Sequence, residues 1–283
     1  MARDYTVHLD SQFLVESKPR HPSTRASAPL RRARAGMGGS WATRTHEFGD
    51  FGDRDRVEVV TLEVLRPESY GQYTWACAES LARHVWRHRA RYLPDAAPAP
   101  RVVELGAGTA LPGLLFAKLG ARVTLTDAAR ESEVLANLAS ARDANRLDPS
   151  RVDVLALDWG ALDASALRLA ARGVDLVLGA DVLYDKSPDF DRLFATVRLL
   201  LERSDNPRAV FLTAYQHRTA HRSIQALLRA WGLRARIVQR ASSDDPDPRA
   251  ETETETETET EPRHAGAAID IVEIVLESPA RVV

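Results

Sequence analysis

The chain has 283 residues, of which 44% are hydrophobic and 28% are charged, a composition typical of one large globular domain, with or without tails. Its 38 basic and 40 acidic side chains give a net charge of -2, which disfavours a dedicated binder of nucleic acid or of anionic membranes. The single cysteine, Cys77, excludes an intrachain disulfide and a cysteine-rich zinc site, and it favours a reducing compartment over secretion. No run of apolar residues approaches the length needed to span a membrane, so we expect no transmembrane helix.

Residues 1–40 contain seven Lys or Arg residues among scattered Pro, Ser and Ala. This composition predicts a disordered basic arm. An organelle transit peptide is the alternative, but Asp4, Asp10 and Glu16 argue against it because transit peptides are poor in acidic residues. We therefore predict a single folded domain over residues 41–283.

Between about residues 45 and 65, two stretches rich in β-branched and apolar residues flank the turn-forming residues 49–53. This pattern predicts a β-hairpin. Apolar residues then recur at helical spacing, which predicts a helix that ends before Pro94. The residues with this spacing are Ala78, Leu81, Ala82, Val85 and Trp86.

After residue 100, strand-like and helix-like segments alternate, which predicts an α/β, Rossmann-like fold with a mostly parallel seven-stranded sheet and helices on both faces. Helices are expected to begin at Pro112 and at residues 187–188, and another is expected to end at Gly232. No helix pattern separates the last two strands, so they should pair as an antiparallel hairpin. The predicted strands are residues 101–105, 122–126, 151–155, 174–180, 208–214, 234–239 and 268–276.

An acidic segment lies between the last two predicted strands. In residues 251–261, six Glu alternate with five Thr. Neither residue type offers an apolar face, and like charges on one face of a strand repel each other. We predict a disordered, solvated Glu/Thr insertion at residues 241–263, with an acidic tether for basic tails as the alternative.

The segment that points to chemistry is the glycine-rich stretch of residues 102–113, which follows the first core strand and precedes a helix. Asp127 ends the next strand, at the distance at which an acid can bind ribose hydroxyls, so a nucleoside-containing cofactor is expected. ATP and GTP are excluded because Gly113 is followed by two leucines instead of Lys and Ser or Thr. NAD remains an alternative, although Leu111 occupies the place of the third small residue of its fingerprint. The remaining candidate is S-adenosylmethionine, which contains no pyrophosphate, so its loop need not direct a helix N-terminus at phosphate.

The stretch Glu104-Leu105-Gly106-x-Gly108-x-x-x-Pro112-Gly113 resembles the first motif of seven-strand, class I methyltransferases. Residues 45–277 are most similar to methyltransferase family 16, including the segments 71–75, 158–160 and 179–185. This resemblance implies the cofactor S-adenosyl-L-methionine. It also implies cofactor-binding roles for Trp75, Glu104, Gly106, Gly108, Asp127, Asp158, Trp159 and Ala180. For Trp159, a simple core position is an equal alternative.

The resemblance implies that Asp181, Tyr184 and Asp185 carry out catalysis. Asp181-x-x-Tyr184 matches lysine-methylating members, whereas Tyr215-Gln216-His217-Arg218 is closer to a member that methylates histone arginine. Because the overall resemblance favours the arginine-methylating member, we expect a protein N-methyltransferase that acts on arginine in a histone or a similar basic protein. We expect it in the cytoplasm and nucleus. Lysine is the alternative.

Other classes of function stay open at this point. An NAD-dependent oxidoreductase would share the sheet, and a catalytically silent module would bind a chaperone or chromatin partner. No metal site is expected, because the pairs His84/His88 and His217/His221 lack an evident third ligand. We interpret them as surface histidines.

Overall fold

A computed structural model describes residues 41–49, 56–64, 70–93, 98–183, 187–216, 224–241 and 268–277. The predicted basic arm, residues 1–40, lies outside the described residues. The strands are β1 (Trp41–Phe48), β2 (Val57–Val64), β3 (Arg101–Glu104), β4 (Arg122–Asp127), β5 (Val152–Ala156), β6 (Leu176–Ala180), β7 (Val210–Gln216), β8 (Leu233–Ala241) and β9 (Ile269–Leu276). The helices are α1 (Ala76–Arg87), α2 (Arg89–Tyr92), α3 (Leu111–Lys118), α4 (Ser132–Ala144), α5 (Ala164–Ala171), α6 (Ser187–Glu202) and α7 (Gln225–Ala230).

Seven strands form one sheet in the order β5-β4-β3-β6-β7-β9-β8. The five strands β3 to β7 are parallel, and β9 is antiparallel to both of its neighbours. This sheet confirms the predicted Rossmann-like architecture and the antiparallel pairing of the last two strands.

The last strand in the sequence, β9, lies inside the sheet between β7 and β8. Its residues Ile269, Ile271 and Ile274 are fully buried, whereas Arg234 and Arg236 of β8 are exposed. A strand buried on both faces suits the interior of the sheet, and charged side chains suit its edge. Residue 241, the first of the predicted insertion, ends β8, and residues 242–263 lie outside the described residues.

Helices cover both faces of the sheet. One apolar core contains buried residues of α1, α3 and α4, and the other contains buried residues of α5, α6 and α7. Among the helices in the described ranges, none is both long and apolar enough to cross a bilayer.

The amino-terminal strands β1 and β2 form a separate antiparallel sheet, which confirms the predicted hairpin. Two asparagines fix it to the region of α4. The Asn145 side chain accepts a hydrogen bond from the Val60 amide at 2.9 Å and donates to the Val60 carbonyl at 2.7 Å. The Asn137 side-chain Nδ2 donates to the Leu62 carbonyl at 2.9 Å. The hairpin is therefore a fixed part of the domain.

Candidate active site and cofactor site

The predicted site residues gather at the carboxyl ends of the parallel strands. From β3 the chain proceeds outward to β4 and β5, and it then returns to place β6 on the other side of β3. The order of strands therefore reverses between β3 and β6, where open α/β sheets bind their ligands. The glycine loop, residues 105–110, follows β3 and precedes α3. Asp181 directly follows β6.

Two glycines of the loop have backbone conformations that side chains disfavour. Gly106 and Gly108 have φ angles of 59° and 55°. A Cβ atom at Gly106 would lie 3.1 Å from both Trp159 and Val182, and one at Gly108 would lie 2.9 Å from the Gly71 carbonyl oxygen. Both positions therefore require glycine, for conformation and for space.

Asp127 ends β4 directly beneath the glycine loop. One carboxylate oxygen accepts a hydrogen bond from the Gly108 amide at 3.0 Å, and the other accepts one from the Ala128 amide at 2.8 Å. Burial raises the pKa of Asp127, and these two amides oppose the shift. A carboxylate can accept about four hydrogen bonds. Asp127 can therefore fix the loop and still accept hydrogen bonds from two ribose hydroxyls.

Glu104, the last residue of β3, is fully buried below the loop. Its carboxylate accepts a hydrogen bond from the Gly113 amide at 3.0 Å, in the first turn of α3. Burial raises the pKa of Glu104 to about 8, the Gly113 hydrogen bond opposes this, and the negative charge of Asp127 adds to it. Glu104 therefore connects the end of β3 to the first turn of α3, on either side of the loop. Its predicted contact with the cofactor stays a prediction.

The raised pKa of Glu104 makes stability depend on pH. Between its ordinary pKa and about 8, the folded protein keeps the proton of Glu104 and the unfolded chain loses it. Stability of the cofactor-free protein should therefore fall from pH 5 to pH 8, relative to Glu104→Gln, by on the order of a few kcal/mol. Urea unfolding of both proteins at both pH values measures this. Equal changes in the two proteins would contradict the raised pKa.

Trp159 and Asp158 follow β5 on the Asp127 side of the sheet. Trp159 is half-buried and packs on Gly106. Asp158 is exposed, and its carboxylate accepts a hydrogen bond from the Ala129 amide at 3.0 Å, which joins the loops after β4 and β5. Trp159 therefore lies against the loop, and its role as a wall of the adenine pocket stays a prediction.

Trp75 lies at the start of α1 within an aromatic group that the sequence patterns did not predict. Its indole donates a hydrogen bond to the Tyr70 carbonyl at 2.9 Å, and its ring stacks on Tyr70 and meets Tyr73 edge-on. Tyr70 is 59% exposed, and the next residue, Gly71, abuts Gly108. In the sequence, the only sign of this group is that Tyr70 and Tyr73 lie close to Trp75 along the chain.

Asp181 directly follows Ala180, the last residue of β6, and therefore lies at the same edge of the sheet as the glycine loop. Its amide donates to the Ala214 carbonyl at 2.9 Å, and its φ angle is 56°. A non-glycine residue in this region stores strain, and such strain is common at functional sites. The predicted catalytic residues Tyr184 and Asp185 lie outside the described residues.

The interpretation of His84 as a surface residue is wrong. His84 is buried in α1, with Nδ1 2.7 Å from the side-chain Oε1 of Gln239 and Nε2 3.0 Å from the Tyr92 hydroxyl. Within the described ranges there is no group of three or more potential metal ligands of the His, Cys, Asp and Glu types. His84 therefore joins α1 to β8. The second pair, His217 and His221, lies outside the described residues.

Comparison with known proteins identifies the chemistry of this edge. The model of a family described as lysine methyltransferase matches residues 56–227, which include the hairpin strand β2, the glycine loop, Asp127 and Asp181. The chain belongs to this methyltransferase family. The family resemblance and the choice of S-adenosylmethionine over NAD are thereby confirmed.

Two relatives of this methyltransferase share the description histone-arginine methyltransferase METTL23. The protein of Xenopus laevis is 38% identical over 64% of this chain and 72% of its own length. The protein of Rattus norvegicus is 36% identical over 66% of this chain and 78% of its own length. A solved structure of a magnesium protoporphyrin IX methyltransferase from Synechocystis PCC 6803 aligns with a TM-score of 0.46 at 13% identity, over 74% of this chain and 88% of that one.

The residues of this methyltransferase fit S-adenosylmethionine. Gly106 and Gly108 bring bare backbone to the crevice, and Asp127 offers hydrogen-bond acceptors below it. Leu114 and Leu115 follow Gly113 in α3, where a phosphate loop for a nucleoside triphosphate needs Lys and Ser or Thr. The chain is an S-adenosylmethionine-dependent methyltransferase.

Proposed function

We propose that this methyltransferase methylates arginine side chains of a histone or a similar basic protein. The observation that carries this proposal is the similarity, at 36–38% identity over about two thirds of the chain, to two proteins described as histone-arginine methyltransferases. The crevice supports it, because an acidic residue, Asp181, lies at the end of β6 beside the glycine loop.

The cofactor supplies a methyl group already activated on a sulfonium. The protein must therefore hold the acceptor nitrogen in line with that methyl group and exclude water. Gly106, Gly108 and Asp127 would hold the cofactor on the β3–β4 side of the crevice. Asp181 lies on the β6 side, which leaves the substrate nitrogen to approach between the two.

Arginine requires a carboxylate at this point. A guanidinium keeps its protons to about pH 12 or above, so no side chain can simply deprotonate it at neutral pH. A carboxylate can bind two of its N–H groups and orient the remaining nitrogen toward the methyl group. The strained backbone of Asp181 fixes the direction in which this carboxylate leaves the strand. Asp185 is the second candidate.

Lysine is the second candidate substrate, and the description of the family as lysine methyltransferase favours it. A lysine ammonium, with an ordinary pKa near 10.4, must lose a proton before it attacks. Asp181 and Tyr184 would then remove the proton in a site that excludes water. The two candidates differ in the residue that becomes methylated.

A transfer assay with labelled S-adenosylmethionine tests the proposal. The acceptors are the individual core histones and matched peptides in which every Arg is replaced by Lys or every Lys by Arg. We expect label on histones and on the peptides that keep Arg. Label confined to the peptides that keep Lys would favour the lysine alternative, and absence of label from every acceptor would contradict the proposed histone substrate. Asp181→Asn serves as the control for contaminating activity.

The acidic insertion leaves and rejoins the sheet at the same edge as this site, because Ala241 pairs with Ile269 and Ile269 pairs with Gln216 at the end of β7. Replacing residues 251–261 with a short Gly/Ser segment should shift the melting temperature by less than about 2 °C, or roughly 1 kcal/mol for a domain of this size. Turnover should also be retained. Loss of several degrees would assign the run to the fold, and loss of turnover alone would favour the acidic tether.

We also propose that the enzyme works in the cytoplasm and nucleus, where histones are made and used, and that chaperones or chromatin factors are its partners. Fractionation of cells that express the tagged chain checks the proposed location. Confinement to another organelle would contradict it.

A further inference from the structure

Four buried or half-buried polar side chains link the amino-terminal hairpin to the glycine loop. His46 Nε2 in β1 lies 3.0 Å from the Thr61 hydroxyl in β2. The Thr74 hydroxyl donates to the Thr61 hydroxyl at 3.3 Å and lies 2.9 Å from the Thr109 hydroxyl. Thr109 directly follows Gly108 in the loop. A continuous path of side-chain hydrogen bonds therefore runs from the hairpin to the loop.

The threonines of this path are enclosed by protein. Thr61, Thr74 and Thr109 are 0%, 2% and 3% exposed. A buried hydroxyl that loses its partner incurs its full desolvation penalty, since water does not replace the partner. Each threonine therefore holds its neighbour in place more strongly than a surface hydroxyl would.

The hydrogen bonds can run in one direction. Because Thr74 donates its only hydroxyl proton to Thr61, Thr109 must donate to Thr74. Thr61 can then donate to His46 Nε2, provided that this nitrogen carries no proton. Burial, with the positive charges of Arg44 and Arg83, lowers the pKa of His46 to about 3. At neutral pH the imidazole is therefore neutral, and its Nδ1-protonated tautomer completes the path.

The loop needs such support. Ala110, the residue after Thr109, has a φ angle of 58°, which is disfavoured for a residue with a side chain. Strained conformations persist only where the surroundings impose them. Asp127 holds the loop at the Gly108 amide from β4, and Thr74 holds the adjacent residue, Thr109, from the segment that precedes α1.

We infer that His46, Thr61, Thr74 and Thr109 are positioning residues, through which the amino-terminal hairpin holds the glycine loop in the conformation that binds S-adenosylmethionine. The inference rests on the assignment of the loop to the cofactor and does not depend on the choice between arginine and lysine. The four residues act through the loop backbone. Their loss should therefore weaken cofactor binding more than the chemical step.

Calorimetric titration with S-adenosylmethionine tests the inference in the full chain. Thr61→Val removes the central hydroxyl and keeps the side-chain shape, and we expect Kd to rise roughly five- to tenfold, as for a lost hydrogen bond of ordinary strength. Thr61→Ser keeps the hydroxyl and should restore Kd to within about twofold of the wild type. The matched control is Thr213→Val in β7, whose fully buried hydroxyl has no hydrogen-bond partner among the described residues, and it should leave Kd unchanged.

Kinetics and a double mutant separate positioning from stability. In Thr61→Val the KM for the cofactor should rise while kcat at saturating cofactor changes less than about twofold. Thr109→Val should weaken binding similarly, and the double mutant should be no weaker than the worse single mutant, because both changes break one path. Thr109→Val and its Ser counterpart also carry the test if Thr61→Val does not fold.

An unchanged Kd in a folded Val variant, or a Ser variant as weak as its Val counterpart, would overturn the inference. Lack of binding by the wild-type chain would instead overturn the cofactor assignment, and the path with it. Failure of methyl transfer to arginine would affect neither.

Discussion

Replacing Asp127 with alanine is expected to weaken S-adenosylmethionine binding by about 1.5–3 kcal/mol, the range for hydrogen bonds to a charged group, or roughly 10- to 150-fold in Kd. The side chain fixes the Gly108 amide and offers its remaining acceptor positions toward the crevice. Alanine removes both contributions. Calorimetric titration of the purified chain measures the effect.

Two further variants show what Asp127 contributes. Asp127→Asn keeps one acceptor oxygen, so its Kd should lie between those of the wild type and the alanine variant. Asp153→Ala on the neighbouring strand is the matched control, because it removes only an exposed ion pair with Arg172, and such pairs contribute little. Unchanged affinity in Asp127→Ala would show that Asp127 does not hold the ribose.

Asp181→Asn is expected to lower turnover at saturating substrate and cofactor by on the order of 100-fold, an effect in the range for the loss of one charged or polar group that stabilises the transition state. Cofactor affinity should stay within a few-fold of the wild type, because Asp181 lies on the β6 side of the crevice and Asp127 on the β4 side. A loss in kcat without a loss in binding identifies contacts made in the transition state. Single-turnover kinetics together with calorimetry give both quantities, and Tyr184→Phe should behave in the same way.

Two results would contradict this assignment. A parallel loss of cofactor affinity and activity would place Asp181 and Tyr184 at the methionine end of the cofactor pocket. Full activity in both variants would move the substrate site toward Tyr215 and Gln216, which end the neighbouring strand β7.

Local patterns predicted the sheet well. The first core strand was predicted at residues 101–105 and observed at Arg101–Glu104, because an apolar, β-branched run meets the first glycine there. Two helices, α4 and α5, were not predicted individually. Leu167 of α5 is 51% exposed and Asn137 of α4 is buried, so neither helix has cleanly separated apolar and polar faces.

The interior placement of β9 depends on contacts distant in the sequence. One local pattern does indicate it, because β9 is a run of mostly apolar residues whereas β8 contains several arginines. His84 could not be interpreted correctly from the sequence, because its partner Gln239 lies 155 residues away. The threonine path was equally hidden. Thr61, Thr74 and Thr109 carry no common motif, and only the fold places their hydroxyl groups together.

The glycine loop and the acids at the strand ends were predicted from spacing and resemblance. Spacing could not reveal what the acids contact. Asp127 accepts a hydrogen bond from a loop amide and Glu104 accepts one from an amide in the first turn of α3, and both contacts depend on how the turn after β3 folds. The hydrogen-bond partners of these two acids therefore follow from the folded conformation of the loop and not from the motif.

The measurement that tests the central claim most directly is a crystal structure of the chain with S-adenosylhomocysteine. The site described above predicts the ribose hydroxyls within hydrogen-bond distance of the Asp127 carboxylate, the adenine beside Trp159, and the sulfur directed toward Asp181. A ligand bound away from the glycine loop, or a ribose that makes no contact with Asp127, would contradict it.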